Sequence, residues 1–210
     1  MPKVKIGASF DILTDGGFES GFFYEVYGPS GVGKTQLLFT LAVEGVHQGF
    51  SRAYFIDTRG TFRPERVAEI AEARGYSRND VLTKISVKRL RDLPSFILTI
   101  DLLSEEGKEL LLLIDTLSDL FYEFPDVGVR YKLGILARNL SLTCIERGFL
   151  VVASNGVRYK GNLEPLGSEY TDPYVHIRIA MEKDDRGTLY ACREGKEEKL
   201  RYVIGRGGIE

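Results

Sequence analysis

Three observations predict an α/β fold for this 210-residue chain, with a mostly parallel central sheet, helices on both faces and a C-terminal antiparallel extension. Strand-length apolar runs alternate with stretches of helical spacing through the first three-quarters of the sequence. ELLLLID, at 109–115, is an almost continuous apolar run, the pattern expected when both faces of a parallel sheet are covered. Further along, short polar turns such as Asp184–Gly187 join the apolar runs, and these fit hairpins.

Phe22–Tyr27 reads as a strand that breaks into a glycine-rich turn. Lys34–Gln48 follows as a helix, with Leu37, Leu38, Leu41 and Val46 near helical spacing. Ala53–Asp57 is a second buried strand. Pro64 sits where a helix can begin, and Gly75 where it can stop. Val81–Val87 is a third strand, Pro94–Ser104 a helix and Glu109–Asp115 a strand. Arg130–Arg147 is a long helix that leads into the buried strand Phe149–Ser154. Val175–Met181, Thr188–Arg193 and Leu200–Ile204 complete the sheet. With no repeat, low-complexity segment or long linker, residues 1–210 are expected to form one domain.

Composition excludes several classes. The net charge is −2, so any nucleic-acid contact has to come from a local basic patch. Cys144 and Cys192 lie far apart without CxxC spacing, which argues against a disulfide framework and a zinc site. His47 and His176 have no carboxylate or cysteine at ligand spacing. The longest apolar run, Leu110–Ile114, is too short to span a membrane, and MPKVKIGASF lacks an apolar signal core. A cytoplasmic protein with no membrane partner is expected.

Residues 28–35 read GPSGVGKT, matching G-x-x-x-x-G-K-[ST] between a strand and a helix. Gly28, Pro29, Ser30, Gly31, Val32, Gly33, Lys34, Thr35 and the following Gln36 are therefore candidate nucleotide-binding residues. The glycines let backbone N–H groups turn around phosphate oxygens. Lys34 reaches the β- and γ-phosphates, Thr35 offers a hydroxyl to Mg²⁺, and the helix N-terminus favours an anion. Asp115, ending an apolar strand some eighty residues on, places a carboxylate at the sheet edge, where it would hold the Mg²⁺ of a bound ATP. Lys34 and Asp115 are the candidate catalytic residues, and Thr35 and Asp115 the metal pair.

Six stretches together resemble the RecA/RadA recombinase superfamily. LTDGGFESG at 13–21 is similar to its "LLGGGIETG" lead-in, and GPSGVGKTQ follows at the same distance. YFIDTRGTFRPERV is similar to "YIDTEGTFRPER", and LLLLIDTLSDLF resembles the second nucleotide motif. FLVVASN resembles the "VVITNQ" sensor strand, and the ending RYVIGRGGIE resembles the last strand of that family. The likeness covers nearly all of the chain and implies a RecA-like P-loop NTPase core of the short, RadB-like paralogue kind.

Two departures bear on chemistry. The family's water-activating glutamate falls on Arg59, and a guanidinium cannot act as a general base. Arg59 suits pairing with a γ-phosphate or a nearby carboxylate instead. The family's sensor glutamine falls on Gly156, which has no side chain to report the γ-phosphate. The expectation is ATP binding with at most weak, DNA-dependent hydrolysis.

Arg66 matches the arginine that stacks on adenine in the family, although it also reads as an exposed helix arginine. The resemblance further implies two loops that touch single-stranded DNA, one near 124–132 with Arg130 and Lys132, the other near 156–170 with Arg158, Tyr159 and Lys160. Without the resemblance, the same residues read as an ordinary solvated surface. About ten residues precede the lead-in, and no phenylalanine–alanine hook is evident. A monomer, a small oligomer or pairing with a RadA-type recombinase is therefore expected rather than a long filament. The alternatives are a KaiC-like regulatory ATPase with no DNA role and a protein-interaction module that uses nucleotide only for stability.

Overall fold

A computed structural model describes residues 2–106, 110–122, 127–159 and 163–210, with the backbone alone at 8, 104, 106, 120–122 and 127–130. The chain begins with β1 (Lys3–Val4), α1 (Ala8–Leu13) and β2 (Phe18–Glu19), then β3 (Phe23–Tyr27) and α2 (Lys34–His47). Next come β4 (Ala53–Asp57), α3 (Pro64–Ala73), α4 (Arg78–Leu82), β5 (Ile85–Arg89), α5 (Leu93–Glu106) and β6 (Leu111–Asp115). Two helices follow, α6 (Leu117–Tyr122) and α7 (Val127–Arg147), then β7 (Leu150–Asn155), the short pair β8 (Val157–Tyr159) and β9 (Leu163–Pro165), and α8 (Ser168–Thr171). Finally come β10 (Ile177–Lys183), β11 (Leu189–Arg193), β12 (Lys199–Tyr202), β13 (Ile204–Gly205) and β14 (Gly208–Ile209).

Among the described residues the central sheet runs β12-β11-β10-β3-β7-β6-β4-β5. From β10 to β5 every pairing is parallel, and β11 and β12 add the antiparallel extension. Its strand side chains alternate between two cores, as a pleated strand covered on both faces requires. Phe55, Leu111, Leu113, Leu150 and Val152 pack with α2 and α3 on one face. Tyr54, Ile56, Leu112, Ile114, Val151 and Ala153 pack with α5 and α7 on the other. The α/β class read from the sequence is the class observed.

One element differs from expectation. The span 81–87 is split, with Val81 and Leu82 closing a helical turn and the strand shifted to Ile85–Arg89. Ser77 caps that turn, its Oγ accepting from the Asp80 N–H at 3.4 Å. A local cap thus overrides the apolar pattern. The short elements α1, β1, β2, α6 and α8 carry too little periodicity to stand out in the sequence.

The order of the strands brings the functional ends together. β3 and β7 are neighbours with Tyr27 opposite Asn155, and β4 and β6 are neighbours with Asp57 opposite Asp115. The C-terminal edge of a parallel sheet is where such folds open a binding crevice.

Candidate nucleotide-binding site

Residues 28–33 connect β3 to α2 at this edge. Gly33 is the N-cap of α2 with φ 92°, a left-handed conformation that glycine adopts without strain. A Cβ on Gly28 would lie 2.0 Å from the Met181 carbonyl oxygen, so the loop is packed directly on β10. Lys34 Nζ donates to the Gly28 and Pro29 carbonyls at 2.7 and 2.9 Å, folding the side chain back over the loop. Burial pulls the lysine's pKa down and the charge of Arg59 adds to this, while Asp115 opposes both.

Asp115 is buried at the tip of β6, where three hydroxyls donate to it. Thr35 Oγ1 reaches Oδ2 at 2.8 Å, Thr61 Oγ1 reaches Oδ2 at 3.2 Å, and Ser154 Oγ reaches Oδ1 at 2.5 Å. One hydroxyl and one carboxylate oxygen so placed fit Mg²⁺, which takes one or two protein ligands and fills its octahedron with water and phosphate. Among the described residues no cluster of three or more acidic, histidine or cysteine side chains offers a dedicated metal cage.

Asp57 has a structural role. Its Oδ1 accepts from the backbone N–H groups of Arg59, Gly60 and Thr61 at 3.2, 2.7 and 3.0 Å, and its Oδ2 from Phe62 N–H at 3.0 Å. The carboxylate thereby shapes the 58–62 turn. Arg59 Nε donates to Asp119 Oδ2 at 2.6 Å, one of the two partners the sequence suggested for it.

Lys34, Thr35, Arg59, Thr61, Asp115 and Ser154 line a cavity of about 670 Å³. Of the candidates read from the sequence, Gly28, Pro29, Ser30, Gly31, Gly33, Lys34, Thr35, Gln36 and Asp115 face it. Val32 does not, because its side chain is buried in the core and its carbonyl accepts the Tyr202 hydroxyl at 2.5 Å. Arg66 also lies outside the lining. Its guanidinium donates in plane to Gln36 Oε1 (2.8 Å), Glu69 Oε2 (2.6 Å), and the Arg206 and Gly205 carbonyls (3.1 and 2.6 Å). Those bonds join α2, α3 and the C-terminal turn.

Thr61, Ser154, Leu166 and Ile204 line the cavity without having been singled out from the sequence. Their types are common and their motif positions unremarkable, so only the fold reveals them. Gly156 lines it too, and a Cβ there would lie 3.0 Å from Leu166 Cδ1 and 3.4 Å from Ser118. Behind it, Asn155 Nδ2 donates to Glu25 Oε1 at 2.7 Å and the Leu166 carbonyl at 2.8 Å, leaving its buried Oδ1 without a partner. Burial pushes the Glu25 carboxyl up, and Arg178, donating at 2.6 Å, opposes that shift.

The DNA-loop candidates fare unevenly. Lys132 is exposed on α7 next to exposed Tyr131, and Tyr159 is exposed on β8. Arg158 pairs bidentately with Glu169, at 3.0 and 2.7 Å, and its Nε lies 3.5 Å from Glu164 Oε2. The side chain of Arg130 and all of Lys160 fall outside the described residues, as do 124–126 of the first loop. No described helix is long and apolar enough to cross a membrane.

Comparison with known proteins adds a second line of evidence. The family model "Rad51" matches residues 3–138. The meiotic recombination protein DLH1 of Candida albicans is 29% identical over 231 aligned residues, covering 96% of this chain and 70% of that protein. DNA repair protein RAD51 of Mycosarcoma maydis is 30% identical, covering 96% of this chain and 67% of its own length. The DNA repair protein RAD51 homolog B of Zea mays is 41% identical over 86 residues, a shorter match of 38% of this chain and 25% of that protein.

Proposed function

The chain belongs to the Rad51 family, and on that premise we propose that it is an ATP-binding accessory factor of DNA recombination and repair. In this reading it is a cytoplasmic, single-domain monomer or small oligomer. It binds single-stranded DNA, modulates a RadA-type recombinase, and hydrolyses ATP slowly or not at all.

The phosphate loop supplies the binding half of this activity. Lys34 would exchange two neutral carbonyl acceptors for charged phosphate oxygens, a stronger contact. Thr35 and Asp115 would hold Mg²⁺, whose chemistry is to neutralise charge between the β- and γ-phosphates. Ser154 and Thr61 keep the Asp115 carboxylate oriented. Arg66 would offer the face of its guanidinium to the base.

The observation that carries slow hydrolysis is the position of the carboxylates. Asp115 is the one carboxylate among the described residues lining the cavity, and it is committed to three hydroxyls. Asp57 accepts four backbone N–H groups, and Asp119 is held by Arg59 and by Thr58 Oγ1 at 3.2 Å. Among the described residues neither Asp57 nor Asp119 lines the cavity, so no second lining carboxylate stands ready to take a proton from an attacking water.

Phosphate contacts to DNA fall to Arg130, Lys132, Arg158 and Lys160, with Tyr159 as a stacking surface. The internal pairing of Arg158 with Glu169 favours, as a second reading, an interaction module with no DNA role. A titration of labelled single-stranded DNA, with and without ATP and Mg²⁺, separates the two. Salt-sensitive binding supports the accessory-factor reading, and no binding at low salt supports the module. ATP turnover as fast as that of a recombinase would refute the proposed slow chemistry.

A further inference from the structure

Arg59 faces the phosphate end of the cavity. It lies two residues past the end of β4, its backbone N–H is fixed on Asp57, and it lines the cavity together with Lys34, Thr61 and Asp115. Two cations therefore converge there against one lining carboxylate, close enough that the arginine's charge helps to depress the lysine's pKa. Such an arrangement calls for an anion, and for more negative charge than Asp115 provides.

The contact of Arg59 with Asp119 is easily given up. The Arg59 side chain is 55% exposed, and an ion pair so placed contributes little. A guanidinium on a phosphate makes two parallel charge-assisted N–H···O bonds, which are stronger and directional. Thr58 Oγ1 lies 3.2 Å from Asp119 Oδ2 and can turn its one proton to that carboxylate after the exchange.

We propose that Arg59 is a specificity-determining residue that releases Asp119 to grip the terminal phosphate of a nucleoside triphosphate, so that the site prefers triphosphate to diphosphate and depends less on a divalent cation. The assignment rests on the nucleotide-binding reading above. A fixed guanidinium neutralises terminal-phosphate charge in the bound ground state as well as in any transition state. It therefore adds affinity without a matching gain in turnover. The site would retain and register a triphosphate rather than consume it.

The test is calorimetric titration of the full chain with ADP and with a non-hydrolysable ATP analogue that has an intact γ-phosphate, each with Mg²⁺ and with EDTA. The unsubstituted protein should prefer the triphosphate by about tenfold or more. Arg59→Gln should erase that preference by weakening the triphosphate alone, leaving ADP within about twofold, with the larger loss in EDTA. Retained ADP affinity in the same variant shows that the site is folded. Asp119→Asn, by removing one anion that competes for the guanidinium, should widen the preference. A change in Arg59→Gln that is equal for both nucleotides, or absent, overturns the assignment, as does an unsubstituted protein that binds both equally well. Binding of neither nucleotide overturns the reading of the site itself.

Discussion

The two walls of the cavity are built on opposite principles. On the wall formed by the phosphate loop and the tip of β6, polar side chains point inward. Lys34 rests on two carbonyls, and Thr35, Thr61 and Ser154 converge on Asp115. The facing wall presents Gly156, Val157 and Leu166, while its polar neighbours turn away. Asn155 reaches back to Glu25, and Arg158 reaches out to Glu169. The difference teaches that polar side chains concentrate on one side of the cavity, while the other is backed by a buried network of Asn155, Glu25 and Arg178 that does not itself line it.

That contrast can be broken at its root. Arg178 donates to buried Glu25 and lies 2.8 Å from Asp172. Arg178→Ala should cost about 3–5 kcal/mol, because it leaves a buried carboxylate unpaired. The double change Glu25→Gln with Arg178→Met should recover much of that loss. Denaturant unfolding measures both, and a single variant that loses less than about 1 kcal/mol would show that the network does not brace its wall.

Next in size is the phosphate wall. Lys34→Ala should weaken ATP binding by about a hundredfold while leaving the unfolding midpoint nearly unchanged, since its present acceptors are loop carbonyls that water can satisfy. Calorimetry and thermal unfolding of one preparation separate the two effects. Unaltered affinity would remove the wall's main contact.

A smaller, pH-dependent effect should reach both walls together. His176 Nδ1 accepts the Phe23 N–H at 2.8 Å at the start of β3, and Nε2 lies 3.1 Å from Ser141 Oγ. Burial lowers its pKa below the ordinary 6.5. A group depressed in the folded state gives stability that is complete above its unfolded pKa and is lost as pH falls through the folded one. Stability should therefore decline as pH falls below about 6.5, and less steeply in His176→Gln. Identical pH profiles would remove His176 from the account.

The smallest expected effect tests the outward-facing arginine. Glu169→Gln should weaken the hold on Arg158, leaving it beside Glu164, and raise affinity for single-stranded DNA about two- to fivefold at low salt. Arg158→Ala should cancel the gain. No change in either variant would make the pair a brace of the second wall and nothing more.

The parallel strands were legible because, covered on both faces, they have to be apolar throughout, and the phosphate loop because its glycines and lysine are contiguous in the chain. The span 81–87 was misread because Val81 suits a helix or a strand equally, and the Ser77 cap decided between them. Asp57 was visible as a carboxylate, but the N–H groups that occupy it depend on how the 58–62 turn folds.

The sequence alone determined the α/β class, the glycine-rich loop with its Lys34 and Thr35, and the aspartate that ends an apolar strand, because each is written in neighbouring residues or in a period. Only the tertiary structure decided which groups complete the cavity and which are already occupied. Thr61, Ser154 and Ile204 reach it, Val32 does not, Arg59 finds Asp119, and Arg158 finds Glu169. The physical reason is that most of these meetings join residues far apart in the chain, and the order in which the sheet assembles its strands sets their distances.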